Sequence, residues 1–231
     1  MRTITIEGPG KNALGSELMA HLHAELEAAG GEPVLLTGSG DAFSAGLNLK
    51  ELLELDLEGM RGFLERLGAL SALLFDYPGP TVACVNGHAI AGGCVLALCC
   101  DWRVGTANPK ARIGLNEVAL GLRFPQRLLR MLRHQLPLLD RIVLDAGLYA
   151  PEQALALGLV DELAPDPLAR AQERLAARAA YPAPAYAAAK ATLRAGVARV
   201  VESEERAFLE EVVPAWVTPE VKAFVRKALG K

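Results

Sequence analysis

The sequence predicts an α/β fold with an all-helical C-terminal region, on three observations. Short apolar stretches of strand composition alternate with longer amphipathic ones from Thr3 onward. Turn-forming segments rich in glycine and proline separate them, at GPGKN, GSGD and PGP. Beyond Pro165 the composition becomes alanine-rich, with Pro182, Pro184, Pro214 and Pro219 as breaks, which predicts three or four helices.

Taken in order, Thr3 to Glu7 alternates polar and apolar residues as a strand does, and GPGKN turns the chain into a helix capped near Ser16 and running to about Gly30. Val34 to Thr37 is a second strand, closed by GSGD. The loop DAFSAGLNLKEL then leads into a helix, and a longer amphipathic helix spans about Gly59 to Tyr77. Pro78 to Pro80 stops it. Thr81 to Asn86 reads as a buried strand of small and branched residues, and a short helix follows from the glycine pair Gly92 and Gly93 to about Cys100. Brief strands are expected at Trp102 to Thr106 and Ala111 to Gly114, and helices from Pro125 to Gln135 and over Leu138 to Gly147. Asn108 and Pro109 read as a turn, and Asp145 and Asp161 as caps or solvated acids.

At 231 residues and 52% hydrophobic content the chain can bury a large core as one domain with a smaller appendage. Its net charge of -3, with basic residues dispersed, argues against a nucleic-acid partner. The apolar run Ala89 to Cys100 is too short to cross a bilayer, MRTITIEGPG lacks the order of a signal peptide, and ALGK carries no address; a cytoplasmic protein is expected, with no membrane partner. Cys84, Cys94, Cys99 and Cys100 lie in the apolar centre without histidines at zinc spacing, so reduced, packed thiols are expected and no metal site.

The stretch NGHAIAGGCVLALCCDWR sets a glycine pair at the start of an apolar helix. Glycine there permits close approach of another group, and the first N–H groups of a helix lack intrahelical partners, so Gly92 and Gly93 can present donors to a negative oxygen. The other reading is tight packing of helix on strand. A second backbone-exposing loop, FSAGLNL around Gly46, makes a two-donor oxyanion hole possible.

FSAGLNL, ACVNGHAIAGGCVLALCCDWRV, ANPKARIGLNEVALGL and GLYAPEQALALGLVDELAP resemble, in that order and spacing, the crotonase (enoyl-CoA hydratase and isomerase) superfamily, over about Ile4 to Pro165. The resemblance implies a crotonase-like spiral of ββα turns over residues 1–165 and a helical trimerisation region over 166–231. It implies a homotrimer, or a hexamer made from two trimers, and an acyl-CoA thioester as substrate. It implies no cofactor, since coenzyme A is part of the substrate. By alignment the oxyanion donors fall on the N–H groups of Leu47 and Gly92. Ser44, Ala45, Gly46, Asn48, His88, Gly93 and Val95 would line the substrate site. Hydratases of the superfamily use two glutamates; here Val95 occupies the first position and Glu117 the second, so Glu117 is the one expected catalytic carboxylate.

One glutamate with an oxyanion hole suits an allylic isomerase, and several motifs are similar to the 3,2-trans-enoyl-CoA isomerases of that superfamily, including the short connection from IGLNE to Pro125. Asn48 departs from the usual aspartate. Glu117, flanked by Ile113, Leu115, Val118 and Leu120, is expected in a poorly solvated pocket with a raised pKa. Residues Glu51 to Met60 are expected to be loop and to shape an acyl tunnel. Arg123, Arg127, Arg130 and Arg133 form either a solvated or interface face or a contact for coenzyme A phosphates. Hydratase, decarboxylase and thioester hydrolase chemistry stay open as alternatives, as does a non-catalytic acyl-CoA-binding subunit.

Overall fold

A computed structural model describes residues 1–230. Strand β1 (Arg2–Ile6) leads through a one-turn element, α1 (Pro9–Asn12), into helix α2 (Ser16–Ala29), which ends where Gly30 takes a left-handed conformation. Three similar units follow. In the first, β2 (Val34–Gly38) and β3 (Ala42–Ser44) precede α3 (Leu49–Glu54) and α4 (Leu57–Phe75). In the second, β4 (Thr81–Val85) and β5 (His88–Ile90) precede α5 (Gly92–Cys99). The third has β6 (Trp102–Thr106), β7 (Ile113–Gly114) and a 3-10 turn at Val118–Leu120.

The first strand of each unit joins β1 and β8 (Glu162–Ala164) in a parallel sheet of order β1-β2-β4-β6-β8; the second strands form a separate parallel sheet, β3-β5-β7. The chain is therefore an α/β spiral of ββα turns. Like β8, strands β3 and β5 are among the elements the sequence reading passes over. Each has only three residues and follows a turn-forming segment, GSGD or Asn86-Gly87, so neither has room to display an alternation of its own. Asn86 stacks these turns on each other: its amide nitrogen donates to Gly38 O at 3.0 Å and Gly40 O at 2.9 Å, and its Oδ1 accepts from Gly38 N at 3.1 Å.

Helix α5 is buried along its whole length, as an apolar helix without a polar face must be. Helix α4 packs beside it with Met60, Phe63, Leu64, Leu67, Leu70 and Leu74, spaced three and four apart, facing the core. Each such side chain contributes roughly 1.5–3 kcal/mol by leaving water. Residues 51–60, expected as loop, are instead the body of α3 and the start of α4, where Asn48 and Asp56 cap the two helices.

Helices α6 (Gln126–Gln135), α7 (Leu139–Asp145) and α8 (Pro151–Ala156) precede β8. After it the chain is all helix. α9 (Pro167–Ala179) lays Ala171 and Leu175 on the five-stranded sheet against Leu35, Val82 and Val104. α10 (Ala183–Arg194) is pinned by Asp101, which receives Lys190 Nζ at 2.8 Å, Arg194 Nη2 at 2.9 Å and the Tyr186 hydroxyl at 2.8 Å. The chain continues as α11 (Glu202–Ala207), a π-turn at Phe208–Val212, α12 (Val213–Trp216) and α13 (Pro219–Ala228).

Pro184 and Pro219 follow breaks and sit in the first turns of α10 and α13, where a missing N–H costs nothing, whereas Pro214, expected as a break, lies inside the continuous run of α11, the π-turn and α12. Asp161 is neither cap nor solvated acid. Its carboxylate accepts from the Arg103 backbone N–H and guanidinium, both at 2.7 Å, tying β6 to the β8 segment. All four cysteines are free and buried. Among the described residues no helix is long and apolar enough to cross a membrane.

Candidate active site

The geometry starts at the loop after β3. Gly46 O accepts from Leu14 N at 2.7 Å and Asn48 N donates to Leu14 O at 3.0 Å. In extended chain, successive groups point to opposite sides, so Leu47 N–H, between these two bonds, points away from Leu14. Gly46 has φ +93°, a region closed to most residues, and a Cβ there would stand 2.7 Å from Ile90 O. The loop thus presses against the residues just before the glycine pair. Asn48 then caps α3, its Oδ1 accepting from Glu51 N at 3.4 Å. Asparagine supplies the acceptor this position needs without a charge.

The glycine pair begins α5. A Cβ on Gly92 would lie 2.8 Å from Leu47 Cδ2, and one on Gly93 would lie 2.5 Å from Ser44 O. Gly93 is therefore required by packing against backbone and Gly92 sits tightly against a leucine side chain, while as the first residues of a helix their N–H groups have no intrahelical acceptor. Ala91, just before it, has φ 49° and ψ -122°, unusual for a residue with a side chain and costing on the order of 1–3 kcal/mol. This strained residue turns the chain from β5 into α5.

Strand β7 brings the carboxylate. Ala91 N donates to Gly114 O at 2.9 Å, so β7 is fastened directly before the glycine pair. Three residues on, Glu117 opens the 3-10 turn, its carbonyl accepting from Leu120 N and Leu122 N, both at 3.0 Å. Glu117 is 5% exposed and its Oε2 has no hydrogen-bond partner among the described residues. Burial pushes its pKa up to about 8, opposed only by a hydrogen bond to its own backbone. No charged neighbour holds it ionised. The buried Cys94 thiol, raised first by burial, is raised further by the Glu117 charge.

The other residues expected at the site divide. Val95 is buried on α5 and offers no proton. Ser44 is wholly buried: its hydroxyl donates to Asn12 O at 2.8 Å and accepts from Gly46 N at 3.2 Å, so it supports the loop from beneath instead of lining a pocket. Ala45 N donates to Lys11 O at 2.9 Å, a second tie beneath the loop. His88 stands on β5 beside Lys11, Asp41 and Arg112; burial and then the Lys11 charge pull its pKa down while Asp41 opposes them. None of these charged groups acts on Glu117.

Of the four arginines, Arg123 and Arg133 form exposed ion pairs, as a solvated face would, while Arg127 and Arg130 on α6 have a task not expected. Arg127 Nε donates to Ala198 O at 2.6 Å, Arg130 reaches Val197 O at 3.2 Å and Glu204 at 2.8 Å, and Arg133 pairs with Asp140. Arg127 and Arg130 hold the C-terminal tail, using carbonyls that sequence spacing cannot reveal. Lys222 on α13 donates to Leu53 O at 3.0 Å and Leu55 O at 3.1 Å, while Val221 and Phe224 lie against Gly121, so α13 bridges the C-terminal end of α3 and the end of the turn that Glu117 opens. A separate cavity of about 250 Å³ opens between α4, the start of α6 and the tail, lined by Leu64, Pro125, Leu128, Val201 and Phe208. It shares no lining residue with the Glu117 turn. No group of three or more metal-ligating side chains is assembled among the described residues.

Residues 1–216 match the family model described as enoyl-CoA hydratase/isomerase. The chain is 36% identical over 203 residues to a 2,3-dehydroadipyl-CoA hydratase of Escherichia coli K12, covering 83% of this chain and 77% of that one. It is 32% identical over 170 residues to mitochondrial enoyl-CoA delta isomerase 1 of Mus musculus, covering 70% of this chain and 58% of that longer one. Among solved structures, human mitochondrial delta3-delta2-enoyl-CoA isomerase superposes with a TM-score of 0.92 at 27% identity, over 99% of this chain and 92% of that one. Enoyl-CoA hydratase from Bacillus halodurans superposes with a TM-score of 0.83 at 27% identity, over 97% and 95%.

Proposed function

The chain belongs to the enoyl-CoA hydratase/isomerase family, and within it we propose that the protein is a 3,2-enoyl-CoA isomerase, moving the double bond of a 3-enoyl-CoA to the 2-position. The observation that carries this reading is a lone buried carboxylate, Glu117, on the turn after the strand that bonds Ala91 just before the glycine pair, where a partner acid would have to come from Val95.

In this mechanism the thioester oxygen accepts from Leu47 N–H and Gly92 N–H. Glu117 removes a proton from carbon 2; the electron pair moves into the carbonyl, giving a dienolate whose negative oxygen the two amides stabilise by about 3 kcal/mol each. The same carboxylic acid returns the proton at carbon 4, leaving the double bond between carbons 2 and 3. One carboxylate performs both steps, so neither water nor a second acid is consumed. A pKa near 8 makes Glu117 a strong base once ionised and a ready donor once protonated. The chemistry calls for no cofactor. Exposed apolar side chains such as Leu144 and Leu193 are consistent with assembly into a trimer, which light scattering tests.

Hydration of a 2-enoyl-CoA is the second reading, favoured by the 36% identity to a hydratase. Incubating the protein with a 3-enoyl-CoA series, following conjugation by ultraviolet absorbance and 3-hydroxyacyl products by chromatography, separates the two. Conjugation without hydration supports isomerisation. Rapid hydration of 2-enoyl-CoA with no double-bond shift replaces it.

A further inference from the structure

We propose that Asn12 is a positioning residue for the oxyanion site, acting through a left-handed turn that fixes the loop carrying Leu47; this rests on the isomerase reading. Gly10, Lys11 and Asn12 have φ of 67°, 59° and 60°, three consecutive left-handed residues, of which two carry side chains. Such backbone persists only where its surroundings over-determine it. Asparagine tolerates this region better than most residues because its short amide bonds locally.

Asn12 is 3% exposed and both polar atoms of its side chain are hydrogen-bonded. Nδ2 donates to Ser39 O and Ala42 O, each at 2.8 Å, with Phe43 O at 3.4 Å, and Oδ1 accepts from Gly8 N at 3.3 Å. Its backbone carbonyl accepts from the Ser44 hydroxyl at 2.8 Å, while Lys11 O accepts from Ala45 N at 2.9 Å. Leu14, two residues on, takes the flanks of Leu47 through its own N–H and C=O. The left-handed turn and Leu14 together thus present three acceptors and one donor to the segment from Ser44 to Asn48. Leu47 N–H is the amide of that segment these bonds leave turned outward.

An amide in an oxyanion site must hold its direction as charge develops, and a displacement of about 1 Å costs as much as 100-fold in rate. Asn12 touches no reacting atom in this scheme. Its effect reaches the substrate only through Ser44, Ala45 and Leu47.

The test uses purified Asn12→Ala with wild type as reference. The readouts are turnover of a 3-enoyl-CoA, the carbonyl stretching frequency of a bound carbonyl-labelled 2-enoyl-CoA, and affinity for an S-alkyl-CoA thioether, which lacks that oxygen. The expected result is that kcat falls about tenfold or more and most of the lowering of the bound carbonyl frequency is lost, while thioether affinity stays within about twofold. A folded Asn12→Ala protein that keeps the wild-type carbonyl shift overturns the role, even with reduced thermal stability. Should Asn12→Ala fail to fold, Ser44→Ala, which cuts one link of the same chain, is judged on the same carbonyl shift. A wild-type protein that binds the thioester without shifting its carbonyl defeats the oxyanion reading itself, and the role of Asn12 with it.

Discussion

Leu47 Cδ2 lies where a methyl group on Gly92 would stand only 2.8 Å away, so the two backbone segments proposed to share a thioester oxygen are in direct contact through a leucine side chain and the absence of one on glycine. The neighbouring pair differs in kind. A methyl group on Gly93 would meet the backbone oxygen of Ser44 at 2.5 Å, which no side-chain rotation relieves.

Gly92→Ala should therefore fold with a modest loss of stability, since Leu47 can give way, but lose about tenfold or more in kcat because the loop moves with it. Gly93→Ala should lose roughly 2 kcal/mol or more of stability by overpacking. Thermal melts beside steady-state kinetics check both; equal stability losses would show that the two contacts do not differ.

Glu117→Gln should keep the fold and lose at least about 100-fold in kcat. Near-normal turnover would remove Glu117 from the mechanism.

The pKa of Glu117 also sets two opposite pH trends. For catalysis the base must be ionised, so kcat/KM should rise about tenfold per pH unit below 8 and level off above it. For stability the sign reverses. The folded pKa of about 8 exceeds the ordinary 4.5, so the folded protein retains a proton the unfolded chain releases; the stabilisation is full below 4.5 and is lost as pH rises through 8. The melting temperature of Glu117→Gln relative to wild type should accordingly climb between pH 5 and pH 9. A constant difference would contradict the desolvated setting of this carboxyl.

Val95→Glu, which places a second carboxylate on α5, should introduce detectable hydration of 2-enoyl-CoA at some cost in stability, since position 95 is 1% exposed. Strong hydration by the unmodified protein would show that Val95 does not limit the chemistry.

Asp101→Ala should cost about 3–5 kcal/mol, because it leaves Lys190 and Arg194, both buried, without their counter-ion. Chemical denaturation measures it, and a loss below about 1 kcal/mol would mean that α10 is held by other contacts.

Local sequence is enough to place most of the long elements. Helix α4, strands β2 and β4 and the all-helical tail follow from periodicity and composition, because burial of one face imposes a repeat that a linear reading detects. The identity of the lone acid, and of the valine opposite it in the motif, is also written in the chain. Three-residue strands escape, since β3 and β5 draw their backbone partners from one another, 46 positions apart at Ala42 and His88. So do Ser44 and Asn12, whose polar groups are spent on carbonyls and amides distant in sequence.

The α/β alternation, the glycine pair and a glutamate at 117 without one at 95 are properties of residue type and spacing, legible along the chain. The tertiary structure decided which N–H is left free, how far burial raises the Glu117 pKa, and that Arg127 and Arg130 grip the tail. Solvent exclusion and hydrogen-bond partnership belong to a residue's surroundings, and those come into being only when segments far apart in the chain are packed together.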